Sequence, residues 1–373
     1  MDWTSWIERV GEPGVLALCG LLAGLGFGFF AQRSRFCLRA AVIEFWHGHF
    51  GDKLTVWLLA FATAVVAAQL LVLSGLLDVS TARQLSARGS LSGALLGGLI
   101  FGVGMVMTRG CASRLLVLSA NGNLRALLSG LIFAVTAQAS LNGVLAPWRE
   151  TVSTWWVVEG GPSRSLLALL GAGPWDGLAF GMVWLVTALF FAVRSGWGFW
   201  KWAGGIGTGL MVALAWAGTY QVMAHSFEPV QIQGLTFSGP SAEWLMRVLS
   251  KPGEPWTFGL GLMPGVFLGS LVGALVGGDW KLEGFGGGYT MPRYIVGAIL
   301  MGFGSMLAGG CAVGAGMTGG AIFAVTAWVT LAGMWIGGGV ADRVFDGANK
   351  PAPAPAPSAD PAPRAANAPT AAP

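Results

Sequence analysis

Charge is what this chain has least of. Asp, Glu, Lys and Arg make up 10% of its 373 residues, against roughly 25% in soluble domains. So little charge excludes an ordinary soluble enzyme or binding module and assigns the chain to the bilayer. Histidine is scarce as well. Of the 3 histidines, His47 and His49 stand at a spacing that does not share a helical face. No third ligand is near, so a metal site is excluded. No stretch has the basic density that phosphate tracking needs, which excludes nucleic acid as a partner. No Walker-type phosphate loop occurs, so no ATPase is encoded, and nothing calls for a cofactor. The cysteines, Cys19, Cys37, Cys111 and Cys311, lie in or beside apolar runs and do not form a disulfide framework. The opening Met1–Glu12 carries Asp2, Glu8 and Arg9. It lacks a basic n-region followed by a cleavage site, so the first apolar segment reads as a retained span.

What the chain has is apolar length and glycine. It is 54% hydrophobic with a mean hydropathy of +0.66, and its 60 glycines let membrane helices approach closely. The composition predicts an all-α polytopic membrane protein, with the lipid bilayer as its solvent. The net charge of +4 fits basic loops facing the cytoplasm and anionic lipid. Segments of about 20 residues, enough to cross the hydrocarbon core, fall near 14–32, 54–77, 91–108, 125–146, 175–193, 203–223, 257–277, 294–309 and 320–340. The 18 tryptophans read as interfacial belts.

Three connections break an apolar run and continue as a short apolar piece too brief to span. They are Arg33–Trp46, Thr108–Leu118 and Gly309–Gly314. A fourth is Phe237–Met246, where Pro240 suits the first turn of a short helix. Non-helical backbone at membrane depth is tolerated only where protein buries it or a cavity needs it. Four short helices aimed at a common centre are therefore expected.

The breaks repeat. Gly97, Gly102, Gly104, Gly110, Cys111 and Ala112 recur at a constant offset of 200 as Gly297, Gly302, Gly304, Gly310, Cys311 and Ala312. The hexapeptide Ile132–Ala137 recurs as Ile322–Ala327. Because the repeat returns five spans later, the halves should be inverted about an axis in the membrane plane, an arrangement that puts transporter sites near the midplane. The expected organisation is an N-terminal segment (1–13), a membrane domain (14–345, halves about 14–150 and 195–345) and a disordered Ala/Pro-rich tail (346–373).

Cys37, Cys111 and Cys311 each lie nine residues after a glycine, Gly28, Gly102 and Gly302; Cys19 lacks this context and reads as a small buried hydrophobe. A thiol is a soft, weak donor suited to a sulfur-bearing ligand. Helix N-termini at Gly110-Cys111 and Gly310-Cys311 would add N–H groups favourable to an anion. The combination points to a small anion containing soft sulfur. Arg39 and Arg114, just past their cysteines, are the first candidates to attract it, with snorkelling anchors as the plainer account. Glu44 and Glu243 sit in short pieces where a carboxylate is a candidate proton carrier. Gln32 and Gln138 read more simply as packing.

At these breaks the chain resembles the YeeE/YedE family of bacterial sulfur-compound transporters. The matching stretches are Arg35-Phe36-Cys37-Leu38-Arg39, Arg109-Gly110-Cys111-Ala112-Ser113-Arg114, Phe237-Ser238-Gly239-Pro240-Ser241-Ala242 and Gly309-Gly310-Cys311-Ala312. The resemblance implies an hourglass-like domain of nine spanning and four short helices in the bacterial inner membrane. It also implies thiosulfate uptake, with the anion handed along Cys37, Cys111 and Cys311 by S–H···S hydrogen bonds. The fourth break has Ser238-Gly239 where a symmetric site would have cysteine, so the path should be asymmetric. Some relatives handle selenium or other sulfur species. A membrane sulfurtransferase is the second reading: it would form a cysteine persulfide and pass it to a cytoplasmic sulfur-carrier protein. A structural subunit with inert cysteines is the third, and it leaves the repeated breaks unexplained.

Overall fold

A computed structural model of the protein describes residues 3–226, 230–250, 253, 255–285 and 291–347. The chain begins with the short helix α1 (Trp3–Val10), the long α2 (Glu12–Ser34), the short α3 (Leu38–Trp46) and α4 (Asp52–Leu73). After the single turn α5 (Arg83–Ser86) come α6 (Leu91–Met107), the short α7 (Ala112–Ala120) and α8 (Leu124–Asn142). A connection holding α9 (Ala146–Ser153) and α10 (Leu166–Leu169) leads to α11 (Pro174–Arg194) and α12 (Phe199–His225). The last part contains α13 (Ser238–Leu249), α14 (Phe258–Gly277), α15 (Met291–Leu307), a π-helical segment (Ala312–Gly319) and α16 (Val325–Phe345).

All nine expected long segments are helices within a few residues of the expected bounds, and all four expected short pieces are helical. Among the described residues, seven stretches are long and apolar enough to cross a membrane. α12 and α16 have the length, but glycine, threonine and tryptophan lower their hydropathy and leave them outside that set. Among the described residues the one sheet is a two-residue ribbon, Gly89–Ser90 against Val157–Val158. The tail beyond 347 lies outside the described residues. Asp346, expected at the start of that tail, still belongs to the packed domain, because it accepts from Arg293 at 2.9 and 3.1 Å.

Capping chemistry sets several helix starts. Ser90 accepts from Gly93 N–H at 2.8 Å, Asn123 from Ala126 N–H at 2.9 Å and Thr257 from Leu260 N–H at 3.1 Å. Inside the bundle, glycines spaced by four bring backbones into contact. Gly20, Gly24 and Gly28 of α2 face the carbonyls of Phe258, Leu262 and Val266 of α14, so this pair runs parallel. Gly98 and Gly102 of α6 face Thr330 and Met334 of α16, again in parallel. The α6–α15 contact differs: Gly97 meets Gly304, and Gly104 meets Gly297. The two helices cross antiparallel, and the 200-residue offset exchanges the two contacts, turning Gly97–Gly304 into Gly297–Gly104. Outward positions such as Val183 and Val186 of α11 and Val272 and Leu275 of α14 are exposed apolar groups, as lipid-facing surface requires.

These directions define two ends. α2, α6, α14 and α16 end at a first face, where Arg33 and Arg35 pair with Asp279 and Asn123 donates to Glu283. α4, α8 and α12 end at the opposite, second face, where Ser92 of α6 donates to the Val152 carbonyl.

One sequence expectation needs correction. Ile132–Ala137 lies in mid-α8, whereas Ile322–Ala327 straddles a turn in which Phe323 has φ 55° before α16 begins. The shared hexapeptide takes two conformations and marks no structural equivalence. Apolar composition produced the match, and packing decided the shape.

Candidate functional site

Three helix breaks have the same backbone. At the end of α2, Arg35 N–H bonds to the Gln32 carbonyl and Phe36 N–H to Ala31. At the end of α6, Arg109 N–H bonds to Val106 and Gly110 N–H to Met105. At the end of α15, Gly309 N–H bonds to Met306 and Gly310 N–H to Ser305. Each is a Schellman ending, with a left-handed residue satisfying the last free carbonyls. The left-handed residues are Arg35 (φ 54°), Arg109 (φ 57°) and Gly309 (φ 76°). Two positions later comes the cysteine. Cys37, Cys111 and Cys311 are the N-caps of α3, α7 and the π-helical segment. Their carbonyls open the next helices by accepting from Ala41, Leu115 and Ala315. Each thiol thus sits at the N-terminus of a helix, where N–H groups lack intrahelical partners.

The Cys37 and Cys111 side chains are neighbours, close enough to interact electrostatically. Cys111 Sγ also lies 3.4 Å from Ser113 Oγ. Arg114 and Arg39 are the cations acting most directly on Cys37. Arg114 donates to Gln32 Oε1 at 3.4 Å, and Arg39 lies 3.7 Å from Asp346. Burial alone would raise the Asp346 carboxyl; the Arg293 bonds and the nearby Arg39 and Arg109 outweigh it and hold the group below the ordinary carboxylate range. Both sequence-chosen arginines therefore flank the paired thiols. Gly110 is buried between the left-handed Arg109 and Cys111.

Cys311 stands apart from that pair. It is fully buried and accepts from Phe237 N–H at 3.4 Å. Phe237 is the N-cap of α13, so the cysteine-equivalent position at the fourth break is Phe237 rather than Ser238-Gly239. Ser238 is buried, with its hydroxyl 3.4 Å from Thr236 Oγ1, and Gly239 borders open space. The segment after Cys311 winds as a π-helix, and within it Gly314 lies against Thr236, leaving no room for a side chain. Gly310 is likewise pressed against Ala315.

Between the paired thiols and Cys311 lies an aromatic waist. Phe27 packs on Phe36 at 6.2 Å and on Phe237 at 5.3 Å, and all three rings are buried. Phe36 adjoins Cys37, and Phe237 touches Cys311. On the first face a cleft of about 200 Å³ opens beside Arg114, lined also by Gln32, Arg35, Asn121, Lys281 and Glu283. The waist and the cleft were not legible in the sequence. Their residues come from segments up to 251 positions apart and carry no motif. Gln32, read as packing, is part of the cleft wall.

Glu44 caps a helix, and Glu243 holds the threonine that caps another. Glu44 accepts from Leu54 N–H at 2.8 Å at the start of α4, and Glu243 accepts from Thr257 Oγ1 at 2.6 Å at the start of α14. His47 Nε2 lies 2.7 Å from Asp342, and Cys19 is half-buried beside Gly218.

Apolar helices broken at thiol-bearing N-caps define a multi-pass membrane protein with a cysteine-lined interior. More narrowly, the chain belongs to the YeeE/YedE family, described as sulphur transport, whose model matches residues 33–340. The resemblance read from the cysteine motifs is borne out. The chain is 27% identical over 326 residues to the thiosulfate transporter TsuA of Spirochaeta thermophila, covering 83% of this chain and 93% of that one. It is 25% identical over 357 residues to the thiosulfate transporter TsuA of Escherichia coli, covering 86% and 92%.

Proposed function

We propose that this protein carries thiosulfate, or a closely related small sulfur-containing anion, across the bacterial inner membrane. The path runs past Cys311, the aromatic waist and the Cys37–Cys111 pair. The observation that carries this reading is the threefold Schellman break with a cysteine at each N-cap. Thiols supply weak donors that match the terminal sulfur of thiosulfate, and helix N-termini with Arg39 and Arg114 supply attraction for its charge. Sulfate lacks the soft sulfur and should compete poorly. The site binds and passes its ligand on; the reading needs no bond to form.

In this reading nine helices span the membrane and the two halves are inverted repeats. Reciprocal contacts of Gly97 with Gly304 and Gly104 with Gly297 support a two-fold relation across the α6–α15 crossing. Charge supports an orientation. Of 21 Lys and Arg residues, Lys251, Lys350 and Arg364 lie outside the described residues. Arg9, Arg83, Arg88, Arg149, Arg164 and Arg247 stand at the second face, and the other twelve stand at the first. The positive-inside rule turns the first face to the cytoplasm. Cys311 then meets the anion before the Cys37–Cys111 pair does.

A sulfur relay is the second reading, favoured by the contact between Cys37 and Cys111. A thiolate would take the outer sulfur of thiosulfate as a persulfide and release sulfite, and a cytoplasmic sulfur-carrier protein would accept the sulfur. Proteoliposome uptake of sulfur-labelled thiosulfate separates the two. Transport predicts uptake that Cys111→Ala and Cys311→Ala abolish while the protein inserts normally, with no mass added to the purified protein. Normal uptake by both variants would sink the proposal, and a persulfide seen by intact mass would favour the relay.

A further inference from the structure

A second cavity lies away from the thiols. It is an apolar groove of about 390 Å³ between α3, α4, α11 and α16, within the size range of small-ligand sites. Its walls are rings. Trp57 stacks on Phe61 at 5.3 Å, Trp335 meets Trp57 edge-on at 5.5 Å, and Trp328 meets Phe61 at 5.7 Å. From Leu54 to Phe61 the wall covers about 10 Å of α4, starting close to the first face, where α4 begins. Phe50, on the groove's lining, is 57% exposed, and neighbouring α11 positions Val183 and Val186 are exposed apolar groups. The groove therefore opens sideways to lipid.

Its mouth is cationic. Phe50 stacks on Phe191, which packs on Phe190, and Arg194 lies over the Phe190 ring at 5.2 Å. On the other side Trp46 donates to the Trp335 carbonyl, and Arg343 lies over the Trp46 ring at 4.9 Å. Both guanidiniums are exposed at the first face, and neither has an ion pair among the described residues. An apolar slot about 10 Å deep beneath two cations without an ion pair among the described residues has the charge pattern of one class of molecule.

We propose that this groove binds an anionic diacyl phospholipid of the leaflet on the first face. One acyl chain lies against Trp57 and Phe61, and the phosphate sits between Arg194 and Arg343. The chain is flexible enough to follow the ring walls. Both cations attract an anionic headgroup, which should therefore outcompete a zwitterionic one about tenfold or more.

The test is native mass spectrometry of the full chain in mild detergent, titrated with dioleoylphosphatidylglycerol or dioleoylphosphatidylethanolamine. The wild type should retain the glycerol lipid at about tenfold lower concentration than the ethanolamine lipid. Ala332→Trp, which fills the groove from an exposed position, should lose the adduct. Leu58→Phe gives an independent, milder filling, and a thermal melt of each variant separates lost binding from lost folding. Arg194→Gln with Arg343→Gln should equalise the two lipids. The proposal is overturned if the wild type binds both lipids equally, or if well-folded filled variants keep the adduct.

Discussion

The α6–α15 crossing offers a quantitative test of the packing. A Cβ added at Gly104 would lie 2.6 Å from the Gly297 carbonyl oxygen and 2.7 Å from Met301 N; one added at Gly297 would lie 2.6 Å from Met107 Cβ. Both are about 1 Å short of van der Waals contact, and in the first case the obstruction is backbone, which cannot rotate away. Such overpacking costs about 1–3 kcal/mol, while alanine regains about 1 kcal/mol of helix propensity over glycine. Gly104→Ala and Gly297→Ala should therefore each destabilise by about 0–2 kcal/mol, and by similar amounts. The double variant should cost less than their sum, because helices parted by one methyl have room for the next. Gly130 of α8 is the control: a Cβ there meets nothing within 4 Å, so Gly130→Ala should stabilise by up to about 1 kcal/mol. Thermal unfolding of purified protein in detergent reads all four. Gly104→Ala behaving like Gly130→Ala, or strict additivity of the pair, would refute the reciprocal crossing.

Three further outcomes are expected. Gly309 has φ 76° with open space at its Cβ position, so Gly309→Ala should cost about 1–2 kcal/mol of backbone strain alone, and an unchanged melting temperature would contradict the left-handed break. Asp346, held below its ordinary value by Arg293, Arg39 and Arg109, contributes stability that is present above about pH 4 and is lost as pH falls through its lowered pKa. Asp346→Asn should therefore lower stability at pH 7 and flatten the acid limb of the melt, and an acid limb identical to wild type would rule this out. A fluorescent protein fused after α16 should glow and an alkaline phosphatase fused there should stay inactive, as a cytoplasmic first face requires; the opposite pattern would reverse the proposed direction of the path.

Much was legible because it is local. Apolar length and the spacing of polar interruptions set the nine helices. The Gly-Cys breaks could be read because a Schellman ending is closed by bonds reaching back three to five residues, all inside one short window. Even Arg35 and Arg109, without glycine's freedom, follow that pattern. The reading failed where likeness of composition stood in for geometry. Ile132–Ala137 and Ile322–Ala327 share six residues but not one conformation, since one lies wholly inside a helix and the other turns at Phe323 before α16 begins. Glu44 and Glu243 read only as carboxylates in short pieces, because the sequence could not place beside them the helix starts that they bond to.

By itself, then, the sequence determined a bilayer protein, its helices, and three thiols each at a helix start. Only the tertiary structure decided that Cys37 meets Cys111 across 74 residues, that Cys311 meets Phe237 instead of a fourth cysteine, and that Phe27 joins Phe36 to Phe237 between them. The physical reason is the range of the forces involved. Backbone hydrogen bonds and apolar runs are settled within a few residues. Which break faces which is settled by glycine surfaces on different helices closing over one another.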